Sequence, residues 1–204
     1  RSDDFPERGR IDFLGDVEVD MSPVDLGTHG DPKAAIAATL FHEVQRRDLG
    51  RLWIDRARLS NVPADLSCEP DVLLCCWETL ESGRTKLVPE ASGKEGRYVE
   101  LEGTADLIVE VLSDSSTKKD SERLRARYFA AGVREYWLVD ARGEELRFAL
   151  LERADDDFED VTNDRSGFAR SGVLGRRVRL VRSPARLGLH DYRLELRPFP
   201  RRKA

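Results

Sequence analysis

Apolar positions along this chain switch several times between period-two and helical spacing, and each switch marks an expected element. Residues 11–19, interrupted by Gly15, read as an early strand or hairpin that Met21-Ser22-Pro23 ends. Asp31 before Pro32 is a helix-start signature, and Ala35, Ile36, Ala38, Leu40, Phe41 and Val44 continue with helical clustering until near Gly50. Leu52, Ile54, Ala57 and Leu59 give a strand with imperfect alternation, and 71–77 a more buried strand of β-branched, Leu and Cys residues. Between 78 and 102 the chain turns polar around Gly83, Pro89, Gly93 and Gly96, which predicts a long loop with room for a short helix.

Residues 105–112 are the most strand-like run of all. Ser113-Asp114-Ser115-Ser116-Thr117-Lys118-Lys119-Asp120 breaks it and supplies cap residues. Helical spacing then resumes over 119–131, with Ser121, Leu124, Tyr128 and Ala131 on one face, until Gly132 releases the chain. A strand over 135–140, a turn over 140–143 and a returning strand over 145–151 form a hairpin. Acidic 155–160 reads as a loop and 178–181 as one more short strand. Helix, three strands, helix, strand is the order of a mixed α/β (α+β) fold with an added β-hairpin.

At 204 residues and 40% hydrophobic content the chain can bury one good core, so a single domain over 1–204 is expected. Charges of both signs are interspersed with aliphatics, which excludes a disordered chain. No stretch approaches the roughly 18 apolar residues of a membrane span, and residues 1–10 lack a secretory apolar region, so the expected location is the cytoplasm, with no membrane partner. Cys68, Cys75 and Cys76 have no zinc-type spacing and read as small buried hydrophobes in a reducing compartment. His29, His42 and His190 are equally scattered.

The net charge of −5 conceals an uneven distribution, because residues 165–204 carry twelve Lys or Arg against two Asp or Glu. An acidic body therefore bears a basic C-terminal segment. It reads either as a polyanion-binding surface or as a solvated or dimer-contacting face that compensates the body.

Glu110 supplies the candidate chemistry, since an ionised carboxylate among aliphatic neighbours costs several kcal/mol unless it is paired, protonated or bound to a metal. Asp106 shares its strand face, but four residues at about 3.3 Å each separate them by about 13 Å, too far to share one ion. Asp71, after Pro70 at the start of the 71–77 strand, is better placed if that strand pairs beside the Glu110 strand. Two carboxylates and a backbone carbonyl make a hard-oxygen site for Mg²⁺ or Mn²⁺, an ion that can polarise a phosphodiester and activate water. Glu43 on the first helix is a candidate third acidic ligand or a surface residue, and Asp71 alone reads equally as a strand-start acid.

Pro70-Asp71-Val72, then Asp106-Leu107-Ile108-Val109-Glu110-Val111-Leu112-Ser113, then Asp120 and the run Tyr128-Phe129-Ala130-Ala131-Gly132-Val133-Arg134-Glu135-Tyr136-Trp137-Leu138-Val139-Asp140 together resemble the bacterial Uma family of restriction-type endonucleases. The likeness spans roughly 11–151 and implies a nuclease core of the PD-(D/E)xK superfamily, a restriction-endonuclease-like central mixed sheet flanked by helices. It implies metal binding by Asp71, Glu110 and the Val111 carbonyl. The superfamily lysine two residues after the glutamate falls on Leu112, and the lysine many Uma relatives carry on the next helix falls on Leu124. Arg125 is then the first choice for a phosphate-stabilising cation, with Lys118 and Lys119 in the connecting loop as others. The expected activity is Mg²⁺-dependent or Mn²⁺-dependent cleavage of DNA, served by a homodimer. The alternative is a nuclease-fold module that binds DNA or a protein without cutting.

Overall fold

The computed structural model describes residues 10–13, 17–20, 25–113 and 118–200. Met21-Ser22-Pro23, Gly15 and the capping residues Asp114, Ser115, Ser116 and Thr117 lie outside them. In chain order, the hairpin β1 (Arg10–Phe13) and β2 (Val17–Asp20) precedes a wide helical turn, Leu26–Gly30, and helix α1 (Asp31–Arg47). Strands β3 (Gly50–Ile54), β4 (Arg58–Asn61), β5 (Leu66–Cys68) and β6 (Val72–Cys76) follow. Then come α2 (Trp77–Glu81), β7 (Thr85–Pro89), β8 (Tyr98–Gly103), β9 (Leu107–Val111), α3 (Lys118–Ala130) and β10 (Glu135–Asp140). The remainder is all strand: β11 (Arg147–Arg153), β12 (Phe158–Asp160), β13 (Ala169–Ser171), β14 (Arg176–Pro184) and β15 (His190–Arg197).

The central sheet runs β12-β11-β10-β9-β6-β3, with β9 and β10 parallel and every other neighbouring pair antiparallel. Every residue of β9 is buried because helices cover both faces. Val72, Leu74, Leu107, Val109, Val111 and Trp137 pack with Ile36, Leu40 and Val44 of α1. The alternate positions Leu73, Cys75, Ile108 and Tyr136 pack with Tyr128 and Ala131 at the α3 end. This is the mixed α+β core, in the expected helix, three strands, helix, strand order, with β4 and β5 diverted between β3 and β6 into a second sheet, β2-β1-β5-β4-β8-β7.

Local chemistry sets several boundaries. Pro32 opens α1, while Asp48 in the left-handed conformation (φ 49°) closes it after Arg47, short of Gly50. Gly50 is needed for close approach, since a Cβ there would lie 2.1 Å from the Cys75 carbonyl oxygen on paired β6.

Four stretches differ from expectation. The strand read through Leu52, Ile54, Ala57 and Leu59 breaks at Asp55 and Arg56, both in the left-handed region, into β3 and β4 of different sheets. The 78–102 loop contains α2 and the β7/β8 hairpin, whose outward charges and Pro89 hide its alternation. The 155–160 loop ends in β12, which adds to β11. The short strand at 178–181 belongs to nine-residue β14, the middle of a three-stranded sheet with β13 and β15. That sheet packs Val178, Leu180 and Leu194 into the α1 side of the core. No described helix is long and apolar enough to cross a membrane.

Candidate active site

Asp71 directly precedes β6 and Glu110 lies on its neighbour β9. The antiparallel pairing of these strands matches Val72 with Val109, and one step further the same register would set Asp71 opposite Glu110. In a regular ladder, side chains so placed share a face with Cβ atoms about 5 Å apart. The backbone N–H of Val111 donates to Asp71 Oδ2 at 2.8 Å, which fixes the Asp71 carboxylate against the end of β9. Asp71 is 2% exposed and Glu110 6%.

Each carboxylate is satisfied in a different way. His29 Nε2 lies 3.4 Å from Asp71 Oδ2 and Lys33 Nζ 3.5 Å from Oδ1, while Lys33 also reaches Asp55 at 2.8 Å. Burial pushes the Asp71 carboxyl up, but His29, the Val111 amide and Lys33 more than reverse this and hold it below its ordinary value. Glu110 Oε1 accepts a 2.5 Å hydrogen bond from the Tyr128 hydroxyl, which also lies 3.3 Å from Cys68 Sγ. Burial, then the charges of Glu110 and Asp71, raise the Tyr136 phenol well above its usual range, so one ring senses both acids.

Other expected participants go elsewhere. Glu43 is buried rather than at the surface, and it sits in the last turns of α1, where Arg46 (2.6 Å), Arg47 (3.3 Å) and Arg176 (2.9 Å) hold it. Ten helical steps, about 15 Å of rise, separate Glu43 from the Lys33 that touches Asp71, and three guanidiniums already satisfy Glu43. Arg125 turns toward β12, pairing with Asp157 at 3.0 Å and donating to the Phe158 carbonyl. Lys118 and Lys119 begin α3 instead of lying in the connecting loop, and their side chains are outside the described residues. Asp106 is fixed at the far end of β9 by Arg134 (3.1 Å) and the Cys76 amide (2.7 Å). Leu112 is half-buried, and Leu124 packs against the α3 side of the core.

His29 and Lys33 are the site neighbours that sequence reasoning missed. A usable signal existed: a lysine in the first helical turn opposes the helix dipole and calls for an acid nearby. His29 is 5% exposed, and its Nδ1 has no hydrogen-bond partner among the described residues.

Among the described residues no three His, Cys, Asp or Glu side chains gather into a metal site. That donor set does not suit structural zinc, which takes four protein ligands. It does suit Mg²⁺, which keeps several waters and is commonly bound through one or two carboxylates. Two of the thiols are poor nucleophiles: burial pushes Cys75 far up and Cys76 up to about 12.

Residues 3–167 match the family model Uma2, described as "Putative restriction endonuclease". Among solved structures, the chain is similar to "a putative nuclease belonging to DUF820" from Anabaena variabilis ATCC 29413. The TM-score is 0.57 at 16% identity, covering 79% of this chain and 86% of that one, a likeness of fold. No curated protein matches.

Proposed function

Since the chain belongs to the Uma2 family of restriction-endonuclease type, we propose that it is a divalent-metal-dependent endonuclease that hydrolyses DNA phosphodiester bonds. The observation that supports this reading is the pairing of Val72 with Val109 between β6 and β9, a register that, continued by one residue, would bring buried Asp71 across from buried Glu110. The two carboxylates, with the Val111 carbonyl, would hold Mg²⁺ or Mn²⁺. Such an ion supplies Lewis acidity toward the phosphoryl oxygens and lowers the pKa of water.

The chain's own groups prepare the site. The Val111 amide and His29 keep Asp71 ionised and oriented, so its charge is in place before any ligand arrives. Tyr128 does the orienting for Glu110. Lys33, shared between Asp71 and Asp55, is an ammonium beside the first carboxylate, and it takes the charge-offsetting role first assigned to Arg125. Two copies related by a twofold axis would cut both strands of a duplex.

Leu112 and Leu124 at the two lysine positions favour a second reading, a nuclease-fold protein that binds DNA without cutting it. Calorimetric titration of Mn²⁺ into the wild type and an Asp71→Ala, Glu110→Ala double variant, beside a plasmid-nicking assay, separates the two. Uptake by wild type alone, with nicking, supports the nuclease. Uptake without nicking supports the binding module, and equal heats for both proteins refute the two-carboxylate site.

A further inference from the structure

The C-terminal sheet lies largely beyond the family match, which ends at 167. Its inner face joins the core through Val178, Leu180 and Leu194. Its outer face presents a row of like charges: Arg170 pairs with Arg177 across β13 and β14, and Arg177 with Arg197 across β14 and β15. Three arginine positions therefore stand side by side on one face, on strands spaced about 4.8 Å apart. Like charges directly opposite one another destabilise a sheet. Arg177 has one acidic partner, Asp164 at 2.8 Å, while neither Arg170 nor Arg197 has one among the described residues, and both are exposed. In the next row, Glu195 is shared by Arg179 (2.7 Å) and Arg193 (2.8 Å).

Aromatic rings brace this face. Arg177, Arg179 and Arg197 lie over the buried Phe168 ring at 5.6, 4.6 and 4.5 Å, and Arg170 lies over Phe199 at 4.6 Å. Their charged ends are thus preorganised in a fixed array. Every cation from 165 to 200 is arginine, the side chain suited to two-pronged phosphate contacts. The sheet also runs the length of α1. Arg176 pairs with Glu43 at one end, and the β14/β15 turn at Arg186 and Leu187 shares a surface recess with Asp31 at the other, two residues from both His29 and Lys33. The arginine row and the candidate site therefore lie toward opposite ends of α1, with the helix spanning about 15 Å between Lys33 and Glu43 at 1.5 Å per residue, or about four base pairs of duplex at 3.4 Å each.

We propose that the outer face of this sheet, through Arg170, Arg177 and Arg197, is a phosphate-backbone anchor for duplex DNA. The choice of DNA rests on the nuclease reading above; the anchor is a separate surface with its own test. The test measures binding of a short fluorescent duplex to the full chain in EDTA, across about 50 to 200 mM salt. An Arg170→Glu, Arg197→Glu double variant places two carboxylates opposite Arg177, so its thermal midpoint should hold or rise. Its affinity for the duplex should fall at least tenfold, with the slope of log K against log salt reduced by about 1.8, or 0.9 per lost contact. If that variant unfolds, Arg170→Gln, Arg197→Gln serves, with the same slope change expected. Unchanged affinity and slope, no duplex binding by the wild type, or preferential binding of phosphatidylserine vesicles would each overturn the anchor. Mn²⁺ uptake on the same variants keeps the two readings apart: lost duplex binding with intact metal heat supports the anchor whatever the outcome at Asp71 and Glu110. Retained binding beside working cleavage removes the anchor and leaves the nuclease.

Discussion

Tyr128 of α3 donates a 2.5 Å hydrogen bond to Oε1 of Glu110 on β9, joining the helix on one side of the central sheet to the acid at its heart. Both residues are buried, and Tyr128 packs edge-on against Tyr136 at 5.4 Å. Tyr128→Phe preserves that packing and removes the donor, leaving a buried carboxylate less well satisfied. The expected cost is about 1.5–3 kcal/mol, the range for a hydrogen bond to a charged group. Urea denaturation measures it, and a loss within experimental error would mean the bond does not hold Glu110. Metal-supported cleavage should fall in the same variant, since the acid is no longer oriented.

Glu135 carries a pH dependence. Burial raises its carboxyl above the usual value despite hydrogen bonds from the Val173 amide and Ser171 Oγ, both 2.8 Å, and from Trp137 Nε1 at 3.2 Å. The folded protein keeps this proton to higher pH than the unfolded chain does. Its contribution to stability is therefore fully present below about pH 4.3, the ordinary glutamate value, and declines as pH rises through the raised folded value. Glu135→Gln cannot ionise, so its melting temperature relative to wild type should improve steadily from about pH 4 upward. A gap that stays constant across that series would show that Glu135 does not titrate as described.

Arg134 and Asp106 fix the end of β9 remote from the candidate site. Arg134→Ala leaves Asp106, 1% exposed, with its Cys76 amide and without its cation. Because the arginine is itself partly exposed, the cost should be about 2 kcal/mol, below the 3–5 kcal/mol for breaking a fully buried pair. Metal uptake should be unchanged, and a parallel loss of both would tie Asp106 to the site.

Leu112 occupies the superfamily's lysine position and is half-buried, so a lysine there can lay its stem along the core and keep its ammonium in water. Leu112→Lys should raise metal-dependent nicking at least tenfold, a modest share of what one well-placed transition-state donor contributes. An unchanged rate would indicate that Lys33 already fills that role or that chemistry is not limiting.

What could be read before folding follows from where the physics is local. The strand over 105–112, the second helix and the strand over 135–140 announce themselves because burial on both faces leaves no room for polar interruptions, and the same apolar run makes Glu110 conspicuous. Asp71 was legible through Pro70 and the strand after it. The β7/β8 hairpin and the C-terminal sheet were hidden for the opposite reason: their outward positions are charged, and in the sheet arginine stems cover Phe168, so the pattern reads as solvent-facing chain. Glu43 misled because its partner Arg176 lies 133 positions later. His29 and Lys33 escaped because their meeting with Asp71 depends on where α1 starts relative to β6, which spacing along the chain does not encode.

The cluster in which Ile36, Leu40 and Val44 meet Val178, Leu180 and Leu194 bears on how this molecule can be dissected. A fragment trimmed at 167, where the inherited endonuclease signature stops, would strip the blanket from the first helix and leave Glu43 without Arg176. Such a truncate should come out of the cell sticky and poorly behaved even with both acids intact. Heredity and self-sufficiency thus draw their borders in different places along this chain.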